Sequence, residues 1–186
     1  MSFEPASTWV GVGEKTGVSL GPGVEQTLGV IWNCNDYRYT FLRINSLRIG
    51  VGAGACIGGV LVLVFNAPHP GSINNLDTSG WTVNLPLADT LRSISRVMSR
   101  PQIWGSVLKA IRAVNHSRVG RTLSHAGIRA VSRADLDNFR ELASIIGDAH
   151  GAYQSSETTI MVLDIPLAGL GTEISVSWSM GRAEIF

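Results

Sequence analysis

Between residues 8 and 47, apolar positions alternate with glycine or polar ones, the period-two pattern of half-buried strands. The pattern predicts strands over Thr8 to Gly13, Gly17 to Gly21, Gln26 to Asn33 and Tyr37 to Leu47, with turns at Gly21-Pro22-Gly23 and Asn33-Cys34-Asn35-Asp36. The next run, Ile49 to Phe65, holds seventeen residues without a charge and reads in two ways. Gly50, Gly52 and Gly54 alternate with Val51, Ala53 and Ala55 ahead of a Val/Leu run, which suits a buried strand. Gly50, Gly54 and Gly58 also fall four apart, so on a helix they line one narrow stripe where a second helix backbone can approach closely in lipid. The strand is expected in solution, and the helical stripe matters only if the segment leaves that state.

Ala67-Pro68-His69-Pro70-Gly71 breaks regular structure, and a further strand is expected over Trp81 to Leu85. The period then changes to that of amphipathic helices. Asp89 can cap a first helix with Leu91, Ile94, Val97 and Met98 on one face and Arg92, Arg96 and Arg100 on the other; Pro101 interrupts or restarts it. Trp104, Val107, Leu108, Ile111 and Val114 continue the apolar stripe to about Asn115. Ser132 and Asp135 form a capping-box pattern opening a helix with Leu136, Phe139, Leu142, Ala143 and Ile146 on one face, which ends near Gly147 or Gly151. Short strands over Thr158 to Leu163 and Glu173 to Trp178 close the chain.

Strands, helices and strands in that order predict an α+β fold, an antiparallel β-sheet or sandwich with an inserted helical region over about 89–147. A chain of 186 residues is expected to form a single domain, β-rich over 1–88, helical over 89–150 and β-rich again over 157–186.

Composition adds a bias. Hydrophobic residues make up 45% and charged residues 16%, which places the chain on the apolar side of ordinary domains and argues against disorder. A formal net charge of +1 hides an asymmetry. Residues 89–133 carry nine Lys or Arg against Asp89 alone, while residues 134–186 carry eight acids against Arg140 and Arg182. Such blocks either meet an anionic partner or neutralise one another in the fold, and the second is the plainer reading. The opening residues have no basic region followed by an apolar core and a cleavage site, so Sec export is not expected.

Catalytic and cofactor patterns are lacking. Gly17-Val18-Ser19-Leu20-Gly21 matches the letters of a nucleophile elbow, but Pro22-Gly23 directly after it favours a turn over the required helix. There is no complete GxGxxG and no GxxxxGK[ST], and His69, His116, His125 and His150 are scattered. Asp148 and His150 read as a helix-end or surface pair. Cys34 and Cys56 have no CxxC spacing, so no disulfide scaffold or zinc site is indicated. No catalytic residue, metal or cofactor is therefore expected, and the protein is not expected to be an enzyme. Arg92, Arg96 and Arg100 share a helix face, but no nucleic-acid module accompanies them and nucleic acid is not an expected partner. That stripe, with Trp104 at its boundary, suits either a solvated, ion-paired face or anionic lipid head groups.

The run Gly50-Val-Gly-Ala-Gly54-Ala-Cys-Ile-Gly58 resembles the glycine-zipper segment of small pore-forming effectors delivered between bacteria by type VI secretion. The uncharged span that contains it, Ile49 to Phe65, makes up about a tenth of the chain. The resemblance implies a membrane-permeabilising toxin that converts from a soluble fold, oligomerises in a lipid membrane and depolarises the inner membrane of a target cell. It further implies a cytoplasmic origin in the producer, a secretion-apparatus carrier and an immunity protein. Membrane insertion and oligomerisation would rest on Gly50, Gly54 and Gly58, with head-group contacts from Arg92, Arg96, Arg100 and Trp104. The alternative from a different class is a non-catalytic α+β binding or structural module.

Overall fold

The computed structural model describes residues 3–83, 99–117, 128, 131–152, 157–165 and 176–186; for 18–21, 48, 50–57, 78–83, 114–117, 150, 164–165 and 176–179 only the backbone is described. In chain order the elements are β1 (Trp9–Asn33), β2 (Tyr39–Phe65), β3 (Leu76–Val83), α1 (Pro101–Ser117), α2 (Arg133–His150), β4 (Thr159–Ile165) and β5 (Val176–Ile185). Among the described residues the strands form one antiparallel five-stranded sheet in the order β1-β2-β5-β3, with β4 also paired to β2. The protein is thus α+β, an antiparallel sheet with a helical region between β3 and β4.

β1 and β2 are far longer than the separate strands expected from the sequence. They pair from Trp9↔Val64 to Trp32↔Tyr39, running straight through Gly21-Pro22-Gly23 where a turn was expected. Long-range pairing to β2 overrides the local turn preference, and the residues left their mark as a register shift between Leu20 and Pro22. There Leu20 faces Ala53 and Pro22 faces Ile49, so three residues of β2 lie opposite Gly21 alone. Proline, with no N–H to give the ladder, is accommodated at such an irregularity.

The irregularity marks a corner. A straight strand of this length would span roughly 80 Å, yet the Cys34 N–H just beyond one end donates to the Thr8 carbonyl just before the other at 2.9 Å. β1 is therefore folded back on itself, and the extra residues of β2 lengthen its path around the bend. Where the two halves of β1 meet, the backbones touch. A Cβ on Gly11 would stand 1.9 Å from the Val30 carbonyl oxygen, and one on Gly13 would stand 2.4 Å from that of Leu28. Only glycine permits this approach.

The turn from β1 to β2 is built by Asn33, whose side-chain oxygen accepts from the N–H groups of Asn35 (2.9 Å) and Asp36 (3.3 Å). Its amide also donates to the Ala6 carbonyl, at 2.9 Å. Trp9 Nε1 donates to the Ala67 carbonyl at 2.7 Å, so the two ends of the folded hairpin are tied at the same place.

Strand periodicity divides the interior. Val10, Val12, Val30, Trp32, Leu61, Leu63 and Phe65 join Ile103, Val107, Ile111, Phe139, Leu142 and Ile146 in the core beneath the helices. The alternate positions, Trp9, Ile31, Leu42, Ile44, Val60, Val62 and Val64, pack with Ile73 and Ala183 in a second cluster. Trp32 meets Phe139 edge to face, with ring centroids 5.9 Å apart.

α1 begins at Pro101, whose missing N–H is harmless in a first helical turn. The region expected to form a helix before it, Asp89 to Met98, lies outside the described residues. α2 has the expected capping box between Ser132 and Asp135 and ends on Gly151, whose φ of 61° is left-handed. β4 matches its expected strand; β5 reaches Ile185, well past the expected end at Trp178.

Candidate functional site

The Ile49–Phe65 run lies wholly within β2, so the strand reading applies to this state. Gly50 pairs with Ser177 of β5, Ser19 of β1 faces Gly54, and Lys15 of β1 faces Gly58. Among the described residues, pairing on the second edge of β2 reaches Val51 with β5 and begins again at Gly59 with β4, so that 53–58 are paired to β1 alone.

Gly58 differs from four other glycines of the sheet. Gly11, Gly13, Gly29 and Gly181 each lie against backbone so closely that a Cβ would collide. Among the described residues, a Cβ on Gly58 would meet nothing within 4 Å. Glycine weakens a strand interior, and no described neighbour supplies a packing reason for it here.

Beside Gly58 lies a group that sequence reading passed over. Lys15 Nζ and Glu25 Oε2 are 3.5 Å apart with side chains only 6% and 11% exposed. Both occupy the positions of β1 that, with Gly11, Gly13 and Gly29, turn the two halves toward each other. The available signal was two opposite charges of equal parity on either side of Gly21, and it becomes legible only once the strand is known to fold there.

A third feature is an apolar row on the outer face near the corner. Val24, Leu47 and Met180 are cross-strand neighbours in β1, β2 and β5, and are 65%, 47% and 47% exposed. Ile49, the first residue of the uncharged run, is 54% exposed beside them.

Of the residues expected to meet head groups, Arg92 and Arg96 lie outside the described residues. Arg100 is exposed and forms an ion pair with Glu141 of α2. Trp104 is half-buried against the core beneath the helices. Two members of the basic block, Arg100 and Lys109, thus engage the acidic block: Lys109 Nζ lies 2.7 Å from Asp135 Oδ2, beside Ser106 Oγ, which donates to Asp135 Oδ1 at 2.8 Å. Ser132 adds its N–H (2.8 Å) and hydroxyl (2.5 Å). Burial opposes ionisation of Asp135, but these hydrogen bonds outweigh it and hold the carboxyl far below the usual carboxylate range.

Gly17 to Gly21 lie inside β1, with strand on both sides and no helix opening after Ser19. Cys34 is buried and unbridged, and burial pushes its thiol up to about 12 despite the opposing charge of Arg140. Its thiolate is thus scarce at neutral pH. A shallow concavity of about 330 Å³ has Ser99, Arg100, Ile145 and Asp148 among its lining residues. Among the described residues no group of three His, Cys, Asp or Glu is placed to hold a metal, and no helix is long and apolar enough to cross a membrane.

No protein-family model, curated protein or solved structure matches the chain.

Proposed function

We propose that the protein is a membrane-permeabilising, pore-forming toxin that stores Ile49–Phe65 as a strand and releases it into a target bilayer as a helix. The observation that carries this reading is Gly58: among the described residues the folded state leaves room for a side chain there, whereas a Gly50–Gly54–Gly58 helix stripe does not. Open space alone is not the argument, since Gly71 and Gly105 are equally unhindered. Its coincidence with the four-residue spacing is.

The charge distribution favours a helix over an inserted hairpin. The β1 ladder partner of residues 53–64 is the first half of that strand, which carries Glu14 and Lys15 consecutively. In a membrane strand, neighbours point to opposite faces, so one charge would face lipid at about 2–4 kcal/mol for a cation near the midplane. β2 therefore leaves alone, and a lone strand cannot satisfy its backbone in hydrocarbon. A helix over 49–65 can, and Arg43 lies before its start.

On this reading, the partners are the target membrane and further copies of the chain, with an immunity protein protecting the producer. Purified protein is expected to release dye from anionic vesicles and to dissipate membrane potential when placed inside bacterial cells. Intact vesicles and an unchanged potential at micromolar protein would refute the reading. They would favour a binding module, a second reading to which the exposed Val24–Leu47–Met180 row lends support. That module would be recovered with a stable protein partner.

A further inference from the structure

We infer that the Lys15–Glu25 ion pair is an autoinhibitory latch: it holds the two halves of β1 together and so keeps the uncharged segment of β2 in the sheet. The inference rests on the pore-forming reading for its purpose, but on geometry for its existence. Along β1, the same-face positions Gly11 and Gly13 meet the backbone around Ile31 and Gly29. The ion pair is the next such contact, between these and the corner at Gly21. Because residues 53–64 are laddered to the first half of β1 and residues 39–49 to the second, β2 cannot straighten through its glycines while the halves of β1 stay joined.

The charges give the contact a switching character that an apolar pair lacks. A buried pair must be stripped of water, and apolar residues of similar volume usually stabilise a fold as well or better. Once the corner opens, Lys15 and Glu25 hydrate, and closing it again must repeat the desolvation. A charged latch therefore holds while dry and resists re-forming when wet. Glu14 lies next to Lys15 and is partly exposed, so the surroundings are already polar enough to hydrate the freed lysine.

The test uses three purified full-length variants, Glu25→Gln, Lys15→Met and the double Lys15→Met/Glu25→Leu. Each is followed by amide hydrogen exchange across residues 9–33 and 39–65 in solution and by dye release from anionic vesicles. Either single variant is expected to speed exchange around the corner by at least about tenfold and to release dye faster. The double variant, which removes both members of the Lys15–Glu25 pair together, is expected to melt no lower than wild type while exchanging and releasing dye at least about tenfold more slowly. Wild-type exchange rates in the single variants overturn the latch, as does wild-type dye release from a folded double variant. If wild-type protein releases no dye but exchange responds as described, the latch stands and the pore-forming reading fails.

Discussion

Gly58 stands directly opposite Lys15 in the β1–β2 ladder, yet a Cβ placed on it would touch nothing within 4 Å among the described residues. A buried lysine beside an unfilled glycine position is a poor way to make a stable sheet. It is a reasonable way to make one that opens.

The two kinds of glycine are expected to separate in a stability measurement. Gly58→Ala should leave the urea midpoint unchanged or raise stability by up to about 1 kcal/mol, since glycine in a strand is weak and the space is open. Gly11→Ala and Gly13→Ala push a methyl into the backbone of Val30 and Leu28, and should each lower stability by roughly 1–3 kcal/mol or more. Equal effects at Gly11 and Gly58 would contradict the folded-back path of β1.

Asp135 joins the two helices through Ser106 and Lys109 while capping α2 through Ser132. Asp135→Ala should cost about 1–3 kcal/mol, combining a lost cap with partners left unpaired. Its folded-state ionisation is depressed, so its contribution is complete above the ordinary carboxylate value of about 4 and fades as pH falls below that toward the folded-state value. Thermal melts of wild type and Asp135→Asn should therefore converge on acidification from pH 5 to about pH 2; a constant gap across that range would argue against the network.

Phe139 of α2 is fully buried and meets Trp32 of β1, fastening helix to sheet. Phe139→Ala should lower stability by about 3–5 kcal/mol. A loss below about 1 kcal/mol in chemical denaturation would show that α2 does not pack there.

Cys34 reports on the fold without a label. With burial holding its thiol protonated, alkylation by iodoacetamide at pH 8 should be slow in the folded protein and fast in urea. In a Cys56→Ala background, rapid modification without urea would place Cys34 outside the core.

Much of this fold was legible in the sequence where the determining interactions are local. The Ser132/Asp135 cap, the Gly151 stop, the Asn33 turn and the strand character of Ile49–Phe65 all follow from residues within a few positions of one another. What escaped depends on distant segments. Gly21-Pro22-Gly23 has the chemistry of a turn, and only pairing with β2 carries the strand through it as a corner. Gly11 and Gly58 are the same letter in similar surroundings, and only the segment that crosses the first distinguishes them. For the same reason Lys15 and Glu25 could be read as surface charges until the two halves of β1 were seen to close on them. The basic stripe was legible as a pattern, but of its members only Arg100 is described, and it faces Glu141.

The central claim is that Gly58 serves a state other than the sheet, and current across a planar bilayer tests it most directly. Wild-type protein should give discrete conductance steps. Gly58→Leu, first shown by circular dichroism and melting to keep the wild-type fold, should give none, because a leucine in the middle of the helix stripe blocks close association. Wild-type conductance from folded Gly58→Leu protein would contradict the account.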